Sequence, residues 1–119
     1  MTYRLVQNGA VSYLESAAGS EPIRSEQDAL DAIAQGWEHG TSRLLLHADM
    51  LSDEFMNLRT GLAGAILQKF ANYGLKAAVV LPDSRSLKGR FKELVAEANR
   101  SREFRVFENR DEAEAWLIG

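Results

Sequence analysis

Two short apolar runs joined by one helical pattern constrain the fold of this chain more than any other feature. The first run, residues 44–46, lies within a predicted strand over residues 43–48, and the second fills residues 75–81 and stops at Pro82. Continuous apolar runs of this length are typical of strands that are buried in a sheet. Apolar residues at helical spacing lie between them: Phe55, Leu58, Leu62, Ile66, Phe70 and Tyr73. This order predicts a strand, a crossover helix that ends at Gly74, and a second, parallel strand.

A hairpin and a helix precede this unit. Asn8-Gly9 stands between two short β-prone runs, residues 3–7 and 10–15, and Asn-Gly is the strongest short hairpin signal because both central residues of a type I′ turn need positive φ. Further along, Ser25 begins a sequence that resembles a capping box. The apolar residues of the helix that follows recur at helical spacing: Leu30, Ile33, Ala34 and Trp37.

The last third of the sequence continues the alternation of helix and strand. Residues 84–100 show a clean amphipathic pattern, residues 104–107 indicate the last strand, and Asn109 is placed to cap a final helix. We expect Trp37 and Trp116, which lie on apolar helical faces, to belong to the core. We therefore predict a single α/β domain over residues 1–119, in which helices flank a mixed β-sheet made of an N-terminal hairpin and parallel crossover strands.

The composition excludes several classes of site. The chain has 119 residues and no cysteine, which excludes disulfides, thiolate metal sites and a cysteine nucleophile. Its two histidines lack the spacing of a metal site, so we expect no metal and no cofactor. A net charge of −3 makes non-specific nucleic-acid binding a poor hypothesis. No apolar stretch approaches the ~20 residues of a membrane span, and we expect a cytoplasmic protein without membrane contacts.

The start of the crossover helix carries the first group of candidate binding residues. Glycine inside a helix costs on the order of 1 kcal/mol relative to alanine, so Gly61 and Gly64 need a reason. Either the helix approaches the sheet or another helix closely, or a partner's backbone approaches the helix. Thr60 is a candidate phospho-acceptor, and the structural alternative is a hydroxyl that bonds to a carbonyl of the preceding turn. Arg59 either pairs with a carboxylate such as Asp53 or binds an anion.

The loop after the second buried strand carries the second group. It reads Pro82-Asp83-Ser84-Arg85-Ser86 and precedes a basic helical segment. Arg85 and Lys88 could hold an anion at the positive end of that helix, whereas plain capping by Ser84 is the alternative. Because both loops follow strands that we predict to be parallel, we expect them to form one binding face at one edge of the sheet. The predicted face consists of Asp53, Asn57, Arg59, Thr60, Gly61, Gly64, Ser84, Arg85 and Lys88.

No catalytic constellation stands out, and we predict no catalytic residues. His47 lies at the end of the first buried strand, two residues from Asp49, which makes it a candidate general base. The sequence contains neither a Gly-x-Ser-x-Gly nucleophile elbow nor a glycine-rich phosphate loop.

Residues 53–73 resemble a family of short bacterial proteins that is classified only as a domain of unknown function. The shared pattern includes Leu58-Arg59-Thr60-Gly61-Leu62-Ala63-Gly64 and Leu67-Gln68-Lys69-Phe70-Ala71-Asn72-Tyr73. It continues through Ser86-Leu87, residues 97–100 and Glu112-Ala113. This resemblance implies membership of the family and carries no activity with it.

More distantly, the order of elements resembles the STAS domains of anti-sigma-factor antagonists. In those domains a strand leads through a loop into a helix whose start reads Phe-Met-Asp-Ser-Ser-Gly-Leu-Gly, and a partner kinase phosphorylates the serine before the glycine. Here Thr60 stands before Gly61, Asn57 falls near the position of the aspartate, and one extra residue is present. The resemblance implies a STAS-like fold and a phosphorylation switch at Thr60.

These observations predict a non-enzymatic interaction or regulatory module, modulated near Thr60 by phosphorylation or by an anion. The expected partner is another protein, a regulator or a kinase, and a homodimer stays open. The alternative is a domain that binds a small molecule or lipid in a pocket under the helix that carries Gly61 and Gly64. An uncharacterised enzyme is the third hypothesis.

Overall fold

The computed structural model describes residues 3–16, 23, 25–47, 62–80 and 103–119. The elements in chain order are β1 (Tyr3–Asn8), β2 (Val11–Ser16), α1 (Glu26–Glu38), β3 (Arg43–His47), α2 (Leu62–Asn72), β4 (Lys76–Val80), β5 (Phe104–Phe107) and α3 (Arg110–Ile118). The predicted helix over residues 84–100 and the first part of the predicted crossover helix, residues 55–61, lie outside the described residues.

The five strands form one mixed sheet in which every strand pairs with the next one in the sequence, in the order β1-β2-β3-β4-β5. The hairpin pair β1–β2 is antiparallel, and β2–β3, β3–β4 and β4–β5 are parallel. This confirms the predicted α/β class, with a hairpin at one side of the sheet and crossover strands at the other. The likeness to STAS domains stays a prediction.

The hairpin turn lies one residue later than the sequence predicts. Asn8 pairs with Val11, so the two loop residues are Gly9 and Ala10 rather than Asn8 and Gly9. Gly9 has φ of 64°, a value that glycine adopts without the steric penalty of a side chain. The register therefore depends on Gly9, whereas Asn8 continues the strand.

The sheet has a separate apolar core on each face. Strand residues alternate between the faces: Leu44 and Leu46 point to one core and Leu45 to the other. The first core contains residues of α1 and α2, which contact each other. The second core contains Ala113 and Leu117 of α3, with Trp116 partly buried against it. The described elements thus form three layers, with α1 and α2 on one face of the sheet and α3 on the other.

Helix α1 turns a different side to the core than the sequence predicts. Its buried residues are Ala29, Ala32, Ile33 and Gly36. Trp37, which we expected in the core, is 55% exposed, and it packs edge-on against the exposed ring of Tyr73 at a centroid distance of 5.7 Å. Small side chains allow α1 to lie close to its neighbours, since a Cβ on Gly36 would lie 2.7 Å from the carbonyl oxygen of Thr41.

The helix ends agree with the predicted capping signals. The Ser25 hydroxyl accepts a hydrogen bond from the N–H of Asp28 at 3.2 Å, as an N-cap does. Gly40 and Gly74, with φ of 71° and 66°, follow α1 and α2 at the position of a C′ glycine. None of the described helices is long and apolar enough to cross a membrane.

Candidate functional site

Two parallel strands end side by side at the candidate site. Glu15 lies near the carboxyl end of β2, and His47 is the last residue of β3. Both side chains lie on the face that α3 covers, because they alternate with Leu14 and Leu46 of the opposite core. The carboxyl edge of parallel strands is where open α/β sheets place their binding sites.

The carboxylate of Glu15 is buried among the side chains of two arginines and one histidine. Its Oε2 accepts hydrogen bonds from His47 Nε2 at 2.7 Å and from Arg110 Nε at 2.9 Å. Its Oε1 accepts from Arg4 Nη2 at 2.9 Å and from Arg110 Nη2 at 3.0 Å. The Glu15 side chain is only 5% exposed, so these donors replace nearly all of the water that would otherwise solvate the carboxylate.

Helix α3 delivers Arg110 to this carboxylate. Asn109 caps the helix, since its side-chain oxygen accepts from the N–H of Glu112 at 2.9 Å. Arg110 is therefore the first helical residue, and it stands at the end of α3 that reaches the carboxyl edge of β2. Its guanidinium binds Glu15 through two nitrogens, the bidentate geometry that suits arginine and carboxylate.

A second carboxylate joins the cluster through the hydroxyl of Tyr13. Arg110 Nη2 donates to Tyr13 Oη at 2.8 Å, and the same hydroxyl donates to the carboxylate of Glu114, one turn further along α3. Asn8 Nδ2 also donates to Glu114, at 3.1 Å. We refer to the following six residues as the Glu15 cluster: Arg4, Tyr13, Glu15, His47, Arg110 and Glu114.

Three members of the cluster hold their protons in fixed states at neutral pH: Glu15, Tyr13 and Arg110. Burial by itself raises the pKa of the Glu15 carboxyl, but the hydrogen bonds from Arg110, His47 and Arg4 outweigh burial and lower the pKa to about 2. Burial and the hydrogen bond to Glu114 raise the pKa of Tyr13. The hydrogen bond to Glu15 raises the pKa of Arg110. At neutral pH Glu15 is therefore an anion, and neither Tyr13 nor Arg110 releases its proton.

In this arrangement Glu15 can orient a neighbouring side chain but cannot readily exchange a proton itself. A carboxylate with a pKa of about 2 is a poor base near neutral pH, but it fixes the ring of His47. The His47 side chain is 34% exposed, and its Nδ1 makes no hydrogen bond within the described residues. Within those residues no group of three or more histidine, aspartate and glutamate side chains could hold a metal ion.

The structure places only one residue of the predicted binding face. Gly64 lies in α2, on the opposite side of the sheet from the Glu15 cluster, and it is exposed. No described atom lies within 4 Å of a Cβ built on it, so no described neighbour explains a glycine there. The other eight residues lie outside the described residues: Asp53, Asn57, Arg59, Thr60, Gly61, Ser84, Arg85 and Lys88.

The strand register places the starting points of the two predicted loops together. His47 and Val80, the last residues of β3 and β4, are paired across the two strands. The segments that contain Thr60 and Arg85 therefore leave the sheet from neighbouring strands at the same edge. His47 itself binds Glu15 rather than a residue we had considered, since Asp49 lies outside the described residues.

The sequence alone did not identify Glu15, Arg110 or Tyr13. A faint signal exists, because Tyr13 and Glu15 are two residues apart in a strand and so share one face of β2. A charged residue on that face is expected to need a partner, but the partners come from residues 4, 47 and 110. Only the packing of α3 on the sheet brings these positions together.

Comparison with known families gives one match. A model of a domain of unknown function, DUF4180, matches residues 8–117. The chain belongs to this family. The region matched to DUF4180 includes five members of the Glu15 cluster and excludes Arg4. No curated protein and no solved structure matches the chain.

Proposed function

We propose that this DUF4180 domain is a non-enzymatic regulatory module that docks another protein at the carboxyl edge of its sheet. The observation that carries the proposal is the pairing of His47 with Val80, the last residues of β3 and β4. The two segments that follow these residues contain the candidate binding residues, including Arg59, Thr60 and Arg85. One partner surface can therefore reach both segments.

The Glu15 cluster supports this proposal by making the edge a stable platform. It ties β1, β2, β3 and α3 together through charged hydrogen bonds just behind the carboxyl ends of the strands. Because the charge of Glu15 is already satisfied by hydrogen bonds from Arg110, His47 and Arg4, Glu15 itself supplies no acid or base for a reaction at neutral pH. Its chemistry is that of a structural brace.

Modulation at Thr60 is part of the proposal. A phosphate there would add about −1.5 to −2 charges to the docking edge. Added charge of that size changes the affinity for a partner, either by repelling acidic groups or by attracting arginines. Arg59 and Arg85 supply basic groups to the same two segments.

Affinity purification from the native cells tests the proposal. The tagged wild-type protein, Thr60→Glu and Gln68→Glu are compared by mass spectrometry of the retained proteins. Gln68 is an exposed residue of α2 whose amide bonds only to Asn72 within the described residues, so Gln68→Glu adds the same charge at an exposed helical position as a matched control. We expect a stoichiometric partner with wild type and Gln68→Glu, and a reduced or different one with Thr60→Glu.

Two results would contradict the proposal. Recovery of the same partner by Thr60→Glu in wild-type amounts would end the phosphorylation switch. Recovery of no partner at all would end the interaction module and favour a small-molecule or lipid ligand, which is then sought by thermal-shift screening.

One observation favours a second candidate function, an enzyme that uses His47 as a general base. The 2.7 Å hydrogen bond from His47 Nε2 to Glu15 fixes the tautomer and orientation of the ring, the role that an aspartate plays in a catalytic triad. The test incubates wild type and His47→Gln with a metabolite extract. A metabolite that wild type alone consumes supports this function, and identical profiles reject it.

A further inference from the structure

Three basic side chains gather at the opposite edge of the sheet, away from the Glu15 cluster. Arg43 and Lys76 are the first residues of β3 and β4 and are paired in the strand register. Arg105 of β5 pairs with Ala78 on the same face, two residues beyond Lys76. All three alternate with residues of the α1–α2 core and so face α3. We refer to Arg43, Lys76 and Arg105 as the basic cluster.

The carboxyl end of α3 accepts hydrogen bonds from two of the three members of the basic cluster. Lys76 Nζ donates to the carbonyl of Trp116 at 2.6 Å, and Arg43 Nε donates to the carbonyl of Leu117 at 2.8 Å. The carbonyl end of a helix carries roughly half of a negative charge. The acceptors that Lys76 and Arg43 bind are therefore helix carbonyls, which carry partial negative charge, and not carboxylates.

No acidic residue supplies the missing charge within the part of the chain that the structure describes. None of the ion pairs there includes a member of the basic cluster. Burial, followed by the charges of Arg43 and Arg105, lowers the pKa of Lys76, as expected where like charges gather.

Arg105 is the member with an unused donor. Its guanidinium lies over the ring of Trp116, with Cζ 5.8 Å from the ring centroid. Its Nε is shielded from solvent and has no hydrogen-bond partner among the described residues. A buried N–H without an acceptor is costly, because the group has given up water and gained nothing. The same Trp116 ring lies 4.5 Å from Lys76 Nζ, so one aromatic face supports both cations.

We propose that the basic cluster binds a phosphate or pyrophosphate group at the amino ends of β3, β4 and β5. Such a group supplies the full negative charge that the three side chains lack and an acceptor oxygen for Arg105, and arginine matches its geometry through paired donors. The group is either a free ion or the phosphate of a nucleotide. The proposal is independent of the docking edge, which lies at the other end of the strands.

Trp116 provides a direct probe of the cluster. The chain has two tryptophans, so Trp37→Phe leaves Trp116 as the only one. In this background, pyrophosphate, inorganic phosphate and ADP are titrated while indole fluorescence is recorded, with sodium chloride at equal ionic strength as the control. We expect saturable changes with pyrophosphate and none with chloride. Tighter binding of ADP than of pyrophosphate identifies a nucleotide site, and equal binding identifies a site for the phosphate group alone.

Arg105→Met and a matched control separate binding from structure. Arg105→Met keeps a long, flexible side chain and removes its charge. Lys69→Gln removes a charge from α2, on the opposite face of the sheet. We expect Arg105→Met to weaken pyrophosphate binding about tenfold or more, as the loss of a charged hydrogen bond does, and Lys69→Gln to change it less than about twofold. Without multivalent anions, Arg105→Met should also raise the Tm, because it relieves repulsion in the cluster.

The outcomes that overturn the proposal are specific. A pyrophosphate response equal to that of chloride, or undiminished binding by Arg105→Met, shows that the cluster only caps α3. If Arg105→Met does not fold, Lys76→Met is titrated in its place and is judged by the same two criteria.

Discussion

Replacing Glu15 by glutamine tests the central electrostatic feature of the fold. The substitution keeps the shape of the side chain but removes the negative charge that Arg4, His47 and Arg110 share. Because the Glu15 side chain is 5% exposed, water cannot take the place of the lost charge. Removing one partner of a buried ion pair is strongly destabilising, since the remaining charges are left uncompensated.

The pKa of Glu15 sets the size of the effect. The drop from 4.5, the ordinary value, to about 2 in the folded protein corresponds to about 3 kcal/mol of stability. The folded state holds its proton less tightly than the unfolded state does, so this stability is fully present above pH 4.5 and is lost as the pH falls to about 2. We therefore expect Glu15→Gln to lower the free energy of unfolding by about 3 kcal/mol at pH 7.

Urea unfolding at several pH values measures this difference. The gap between wild type and Glu15→Gln should be largest at pH 7 and should fall to less than about half by pH 3, because wild type loses the same charge by protonation. Glu26→Gln is the matched control. The carboxylate of Glu26 is half exposed and lies 3.9 Å from Lys69, so its removal should change stability by less than about 0.5 kcal/mol.

Two results would refute this reasoning. If Glu15→Gln is as stable as wild type at pH 7, the charge of Glu15 does not contribute to the free energy of unfolding. If the gap is the same at pH 7 and pH 3, the destabilisation comes from packing and the electrostatic explanation is wrong.

Two further predictions concern packing. Gly36→Ala should lower the free energy of unfolding by about 1–3 kcal/mol in chemical denaturation, because the new Cβ would lie 2.7 Å from the Thr41 carbonyl oxygen. Gly64→Ala, with no described atom within 4 Å of its Cβ, should raise the free energy of unfolding by up to about 1 kcal/mol, and changes of the same sign in both variants would contradict the prediction. Phe70→Ala should lower stability by about 3–5 kcal/mol, since Phe70 is fully buried between α2 and the sheet, and a loss below about 1 kcal/mol would show that the α1–α2 layer packs loosely.

Local signals in the sequence predicted much of the described fold. The strands β3, β4 and β5 appear within one or two residues of their predicted bounds. Ser25 and Asn109 cap their helices as predicted, because an N-cap depends only on residues within one turn. Gly74 ends α2 for the same reason.

The side of α1 that faces the core could not be predicted in this way. The helical pattern of large residues selected Leu30, Ile33 and Trp37, whereas the structure buries Ala29, Ala32 and Gly36 beside Ile33. Ile33 is buried as expected, but Gly36 rather than Trp37 lies on the buried side, where a Cβ would meet the carbonyl oxygen of Thr41. Which side of the helix faces the core depends on the packing of the layers and is not encoded in the spacing of one helix.

The Glu15 cluster could not be predicted from the sequence for the same kind of reason. Glu15, His47 and Arg110 belong to three elements that are far apart in sequence, and none of them forms a motif with its neighbours. The basic cluster likewise joins three strands and depends on where α3 ends. The STAS resemblance pointed instead to Thr60, and the loop before the basic helical segment pointed to Arg85; both residues lie outside the described residues.

The contact between Glu15 and Arg110 joins residues that are 95 positions apart, and this separation has a consequence for folding kinetics. The strands of the sheet can pair in sequence order, each with the strand before it. The Glu15 carboxylate, however, binds Arg110 only when the last helix has docked. Contacts that form late stabilise the native state without stabilising the transition state. Acid, or the loss of Glu15, should therefore accelerate unfolding and leave the refolding rate nearly unchanged.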